Sequence, residues 1–307
     1  MIRTSSRASA FLLVALTGSL APASVLAQPA AAPQFTDAAA ARPAPDTDDT
    51  VWTLTLGGTL NYGNARSLQL NANNHFQIRR DVHQFTLDLT FLYGVASLRD
   101  GTTQQFGPWN ANAQSLNGLI RYDIFLDADD ALFASVRGRN DPFAGLDFRF
   151  QGQIGYVRNV FAEHEAQHRL WFEIGADVTY DDRYPNPLCA PPPAGVTVTP
   201  ATCVGSDARS YLLPGDELQP SARLFIGYDN HMNADWSYLT GIEGLVDLRG
   251  EPHWRNVRLA WRNTLAFHVA TNLAVNLMFN FTYDGEPVPG FDEIDTQTVL
   301  GLSYTLL

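Results

Sequence analysis

Taken two residues at a time, the segment from Leu273 to Tyr283 separates into two sets. Leu273, Val275, Leu277, Phe279, Phe281 and Tyr283 fall on one side, and Ala274, Asn276, Met278, Asn280 and Thr282 on the other. Side chains of an extended chain point alternately to opposite faces, so the pattern predicts a β-strand with one apolar and one mostly polar face. A globular strand runs about five or six residues, whereas a tilted strand crossing a bilayer needs about nine to eleven. This segment has the longer dimension.

The same alternation predicts strands over Val51–Tyr62, Arg66–Arg79 and Gln84–Val95, then a fourth ending at Leu126. It continues over Leu132–Arg139, from Leu146 through Tyr156, over Arg169–Tyr180 and around Ala222–Tyr228. Trp236–Leu248, Val257–Val269 and Thr296–Leu306 bring the series to twelve. In the fifth, Phe133 interrupts the run of Leu132, Ala134 and Val136 and makes it the least regular. The expected fold is all-β: an antiparallel up-and-down barrel of about twelve strands spanning a membrane.

Alternation alone also fits a soluble periplasmic β-barrel that binds a ligand inside. Three features favour the membrane. Connections after strands two, four, eight and ten are tight and those after three, seven and eleven are long, as short periplasmic turns and long external loops require. Aromatic residues gather near the strand ends: Trp52, Tyr122, Tyr156, Tyr228, Trp236 and Tyr238 at one rim, Tyr62, Tyr93, Tyr180 and Tyr283 at the other. The polar face carries Arg121, Asp123, Arg149, Glu173, Asp177, Arg223, Glu243, Asp247, Arg258 and Arg262, which suit a wet lumen. A barrel of this size lies between the eight strands that side chains fill and the sixteen that leave a channel. Those charges are therefore expected either to line a selective pore or to pair into a plug.

Ahead of the first strand, Arg3 and Arg7 precede an apolar run from Ala8 to Leu20, and Val25-Leu26-Ala27 supplies small residues for cleavage. This reads as a secretory signal peptide over residues 1–27, the run being short for a transmembrane helix. Residues 28–50, rich in Ala and Pro and ending in Asp46, Asp48 and Asp49, read as a disordered leader, leaving 51–307 as the barrel domain. Removing two Arg takes the formal charge from −12 to −14. That balance disfavours nucleic acid as a partner. All 20 basic residues are Arg; without Lys there is no Walker-type phosphate loop and no Schiff base. The expected partners are outer-membrane lipid, the barrel-insertion machinery, and small solutes or ions. No cofactor is expected.

Catalytic motifs are few. His164-Glu165-Ala166-Gln167-His168 spells H-E-x-x-H, in which two His one helical turn apart bind zinc and the Glu is the base. Here it falls in the connection between strands six and seven, where a solvated turn is the simpler reading, so His164 and His168 stand as weak metal candidates. An outer-membrane lipid hydrolase would need an outward Ser-His pair on adjacent strands, which the pattern does not offer. Asp127, Asp129 and Asp130 lack the spacing of a calcium loop. Cys189 and Cys203 share one long loop, and in an exported chain they are expected to form a disulfide, free thiols being the alternative.

Several segments also carry a family likeness. Arg121-Tyr122-Asp123-Ile124-Phe125, Arg139 to Asp147 running into Gly152-Gln153-Ile154-Gly155-Tyr156, Tyr283-Asp284-Gly285-Glu286-Pro287, Asp295-Thr296 and Gly301-Leu302-Ser303-Tyr304 resemble the salt-induced outer-membrane proteins, a domain family of unknown function. The resemblance covers Val51 to Leu307, implies an outer-membrane barrel and supplies no catalytic residue. The alternation of Leu300, Leu302, Tyr304 and Leu306 up to the C-terminus also resembles the signal read by the insertion machinery, with Leu306 where an aromatic is usual. The function expected is a narrow pore or a structural, stress-related envelope protein without catalysis.

Overall fold

The computed structural model describes residues 48–61, 66–97, 105–142, 146–163, 168–183, 216–249, 256–287 and 293–306. The signal segment, Cys189, Cys203 and His164 lie outside them, as does all of the leader before Asp48.

The described residues form twelve strands: β1 (Asp49–Asn61), β2 (Arg66–Arg80), β3 (His83–Ser97), β4 (Asn110–Phe125), β5 (Asp130–Asp141), β6 (Leu146–Glu163), β7 (His168–Arg183), β8 (Asp216–His231), β9 (Trp236–Asp247), β10 (Val257–Ala270), β11 (Leu273–Asp284) and β12 (Ile294–Thr305). Each pairs antiparallel with its neighbour in sequence, and β12 pairs with β1 to close the barrel. Closure leaves the sheet without two free edges, the condition for strands to cross lipid.

Alternation decides which way each side chain faces. Leu60, Leu116, Ile154, Ile174, Leu224 and Leu300 are all exposed on the outside, Leu60 at 70% and Ile154 at 65%. A continuous apolar exterior of this kind needs a lipid surrounding. Trp52, Tyr93, Tyr122, Tyr180 and Trp236 stand exposed near the strand ends, as the two girdles require.

One end of the barrel carries tight connections. Asp81 and Val82 join β2 to β3, with Asp81 at a φ of 53°, a left-handed conformation that Asp tolerates better than most residues. Between β4 and β5 the Asp127 carboxylate accepts the amides of Asp129 (2.9 Å) and Asp130 (2.8 Å). Asn233 repeats the device between β8 and β9, accepting from Asp235 and Trp236. The opposite end carries the long connections, which include residues 98–109 and 184–215. We call the two the turn end and the loop end.

Three expectations need correction. β1 begins at Asp49, so the last leader residues belong to the barrel: Asp49 and Thr50 register with Arg79 and Ile78, and Arg80 donates to the Asp49 carbonyl and the Thr50 hydroxyl. β6 runs on to Glu163, so the link to β7 is 164–167 and His168 is already in strand, edge-on to the Phe161 ring at 5.3 Å. Phe133 does not break the alternation of β5. It is an inward residue in step with Ala131, Ser135, Arg137 and Arg139, all buried.

Candidate functional site

The site is the barrel interior, and it is built unevenly. On the arc from β4 to β9 the inward positions carry long ionised side chains that meet across the lumen. Arg121 on β4 clamps Asp123 on its own strand (Nη2–Oδ1 2.7 Å) and reaches Glu173 on β7 (3.2 Å). Glu173 also receives Arg223 from β8 at 2.6 Å, and Arg223 turns its Nε to Glu243 on β9 at 2.5 Å. Gln153 on β6 ties this chain to a second one, donating to Asp177 (2.9 Å) and to Glu243 (3.4 Å). Asp177 accepts from Gln151 and Thr179 as well, with Arg258 of β10 at 3.7 Å. Nearer the loop end, Arg149 holds Asp181 through two bonds of 2.5 and 2.6 Å.

The centre of this lattice is sealed, while Arg149 and Arg258 at its loop-end side are half-buried. Arg121 is 1% exposed, Glu173 and Asp123 0%, and Arg223 2%. Ionised groups out of water persist only when paired and hydrogen-bonded, which this lattice achieves.

Beneath the ions lies an inward apolar layer of Phe125, Ala131, Phe133, Val157, Trp171, Phe225 and Ala260. Arg121 and Arg223 lie 4.2 and 5.3 Å over the Phe133 ring, so cation–π contacts join the two layers, and on the turn-end side Arg169 lies 4.0 Å over Trp171. Gly227 makes room for Trp171: a Cβ there would overlap the indole. Between them, ions and rings fill this side of the lumen.

The remaining arc is different. Inward positions of β10, β11, β12, β1 and β2 are mostly uncharged and short: Thr53 and Thr55, Asn71, Asn73 and Gln77, Asn280 and Thr282, Gln297 and Ser303. They are half-buried, unlike Arg121, Asp123, Glu173, Asp177, Arg223 and Glu243 opposite. Asn73 donates to Thr90 (3.0 Å) and Asn276 to Ser303 (2.8 Å). His75 and Asp88 pair at 2.7 Å with 28% and 15% of their side chains exposed. The wall is an amide and hydroxyl surface beside a packed one.

Of the ten charged candidates, the structure brings Arg121, Asp123, Glu173, Asp177, Arg223, Glu243 and Arg258 into one connected lattice. Arg149 pairs separately with Asp181. Asp247 sits at the loop end, held by Arg249 at 2.7 Å and by Asn256. Arg249 lies in the connection beyond β9, where hydrogen bonds to Asp247 and Glu217 hold its guanidinium protonated more firmly than usual. Arg262 stands on the amide wall, in register with Asn280. Sequence reasoning missed Asp181, Arg137 and Arg139 and the inward rings of Phe133, Trp171 and Phe225; the signal was their parity with neighbouring polar residues. Among the described residues no group of His, Cys, Asp and Glu is arranged to hold a metal.

Among curated proteins none matches the chain. Solved structures similar to it include the NanC porin (10% identity, TM-score 0.43, covering 82% of this chain and 98% of that one). An outer membrane channel from Pseudomonas putida F1 is similar at 10% identity and TM-score 0.44, over 89% of this chain and 98% of that one. The translocator domain of the autotransporter NalP from Neisseria meningitidis is similar at 11% identity and TM-score 0.34, over 83% and 86%. The family comparison is decisive by its extent, spanning residues 54–306 from the first strand to the last. The chain belongs to the family described as protein of unknown function, DUF481.

Proposed function

We propose that this protein is a passive outer-membrane pore, narrow and off-centre, with its loop end outside and its turn end in the periplasm. One observation carries the reading: half-exposed amide and hydroxyl side chains face sealed ion pairs across the same lumen. Water and solute would follow the amide wall, and the ion lattice would hold the barrel's shape rather than face the traffic. Its working partners on this reading are membrane lipid, the insertion machinery and small solutes or ions, with no nucleic acid, no cofactor and no catalysis.

Planar-bilayer recording of the refolded chain tests it. We expect discrete conductance steps that shrink markedly in Asn280→Trp, which fills the open side, and the absence of steps from a heat-modifiable, folded barrel would refute it. The rival metallohydrolase would announce itself as stoichiometric zinc lost in His164→Ala.

A further inference from the structure

The barrel does not close evenly. β1 pairs with β2 along its whole length, from Asp49↔Arg79 to Asn61↔Ser67. Its ladder with β12 runs only from Thr53↔Thr305 to Gly57↔Gly301, extended at the turn end by the Leu306 amide donating to the Trp52 carbonyl at 2.7 Å. Beyond Gly57 the ladder between the two strands stops. Thr296 to Leu300 remain laddered to β11, opposite Phe281 to Leu277, and among the described residues no ladder joins them to β1. The break lies towards the loop end, in the middle of the amide wall and away from the packed ions.

The outer surface changes at the same place. Along β12 the outward series is Leu306, Tyr304, Leu302 and Leu300, then Thr298 and Thr296, both exposed. Their register partners on β11 are Phe279 and Phe281, so hydroxyls stand beside the break at a level where the neighbouring strand is aromatic. On the β1 side Gly58 presents no side chain and Leu60 stands 70% exposed. Immediately inside are Gln297 and Asn280, with the buried Val299 next along β12. Backbone left without ladder partners is tolerated at membrane depth only where it is buried in protein or lines water, and the polar side chains on both faces here favour water.

We propose that the loop-end part of the β1–β12 seam is a lateral portal, by which amphipathic small molecules dissolved in the bilayer exchange with the open side of the lumen. The portal rests on the pore reading for its lumen, but not on conduction from end to end. Its chemistry fits such a guest. An apolar tail lies along Leu60, Leu300 and Phe279, while a polar head finds Thr298 outside and then Gln297 and Asn280 inside.

The test uses the full mature chain in nanodiscs containing stearate with a nitroxide near its carboxyl end. The amide signals of Asn73, Asn280 and Gln297 should broaden in the unaltered chain. In a background with Cys189→Ser and Cys203→Ser, Leu60→Cys with Thr298→Cys places thiols where the register would meet if it continued. Oxidation should then abolish the broadening and reduction restore it. Three results overturn the portal: no broadening in the unaltered chain, broadening that survives the intramolecular staple, or oxidation that links two chains and so shows a second copy zipped onto the edge. The first needs no variant, so a misfolded staple does not shield the proposal. Conductance steps recorded separately decide the through-pore, so either reading can fall without the other.

Discussion

Glu173 is the residue on which the ion lattice turns, since among the described residues it alone accepts from both Arg121 and Arg223. Removing one member of a buried ionic set strands the others without compensation, at a cost of about 3–5 kcal/mol. Glu173→Ala should therefore lower the barrel's stability by about that amount, measured as a shift of the urea unfolding midpoint in detergent micelles. An unmoved midpoint would mean that water reaches the guanidinium groups. Gly227 supports the apolar layer by absence: with Trp171 over its Cα, Gly227→Ala forces the indole aside. Overpacking of this kind costs about 1–3 kcal/mol. The loss should largely vanish in the double variant with Trp171→Leu, a non-additivity that a double-mutant cycle reads directly.

Among the elements, the hairpins were the most legible in the sequence. Alternation fixed the number of strands and most of their faces, because one slip of register would turn a whole apolar set inward. What escaped was the content of the inward face. A strict apolar-against-polar reading treats Phe133 as an error, whereas packing makes it the floor on which Arg121 rests. Its parity with Ser135, Arg137 and Arg139 marks it as inward, but its partners come from β4 and β8, out of reach of any local reading. Likewise, the ten charges were recognisable as inward, but their sealing depends on distances across the barrel that no single strand encodes. The turns make their own prediction. Two backbone amides hold the Asp127 carboxyl below the usual carboxylate range. A depressed folded pKa means that the Asp127 contribution is complete above the unfolded value near 4 and is lost as pH falls through the lower folded one. Titration followed by NMR should show the Asp129 and Asp130 amides shifting at that lower pH, and Asp127→Asn should remove the transition while keeping the turn.

At the scale of the molecule, the division of the lumen separates two properties that usually travel together. If the path follows the amide wall, Glu173→Gln with Asp177→Asn should weaken the fold and leave ion selectivity nearly unchanged in planar bilayers. A large change in reversal potential under a salt gradient would place the conducting path through the lattice instead. The sequence disclosed the charges without disclosing this division, since inward Asn and inward Arg have the same parity and differ only in what stands across from them.

The order of the strands also bears on how such a barrel comes together. Eleven of its ladders join neighbours in sequence, whereas the twelfth must bring Thr53 to Thr305 across the whole chain. Closing so long a loop carries the largest chain-entropy cost and is repaid by the shortest ladder. The seam is therefore the last contact to form during assembly and the first to yield when the barrel is stressed.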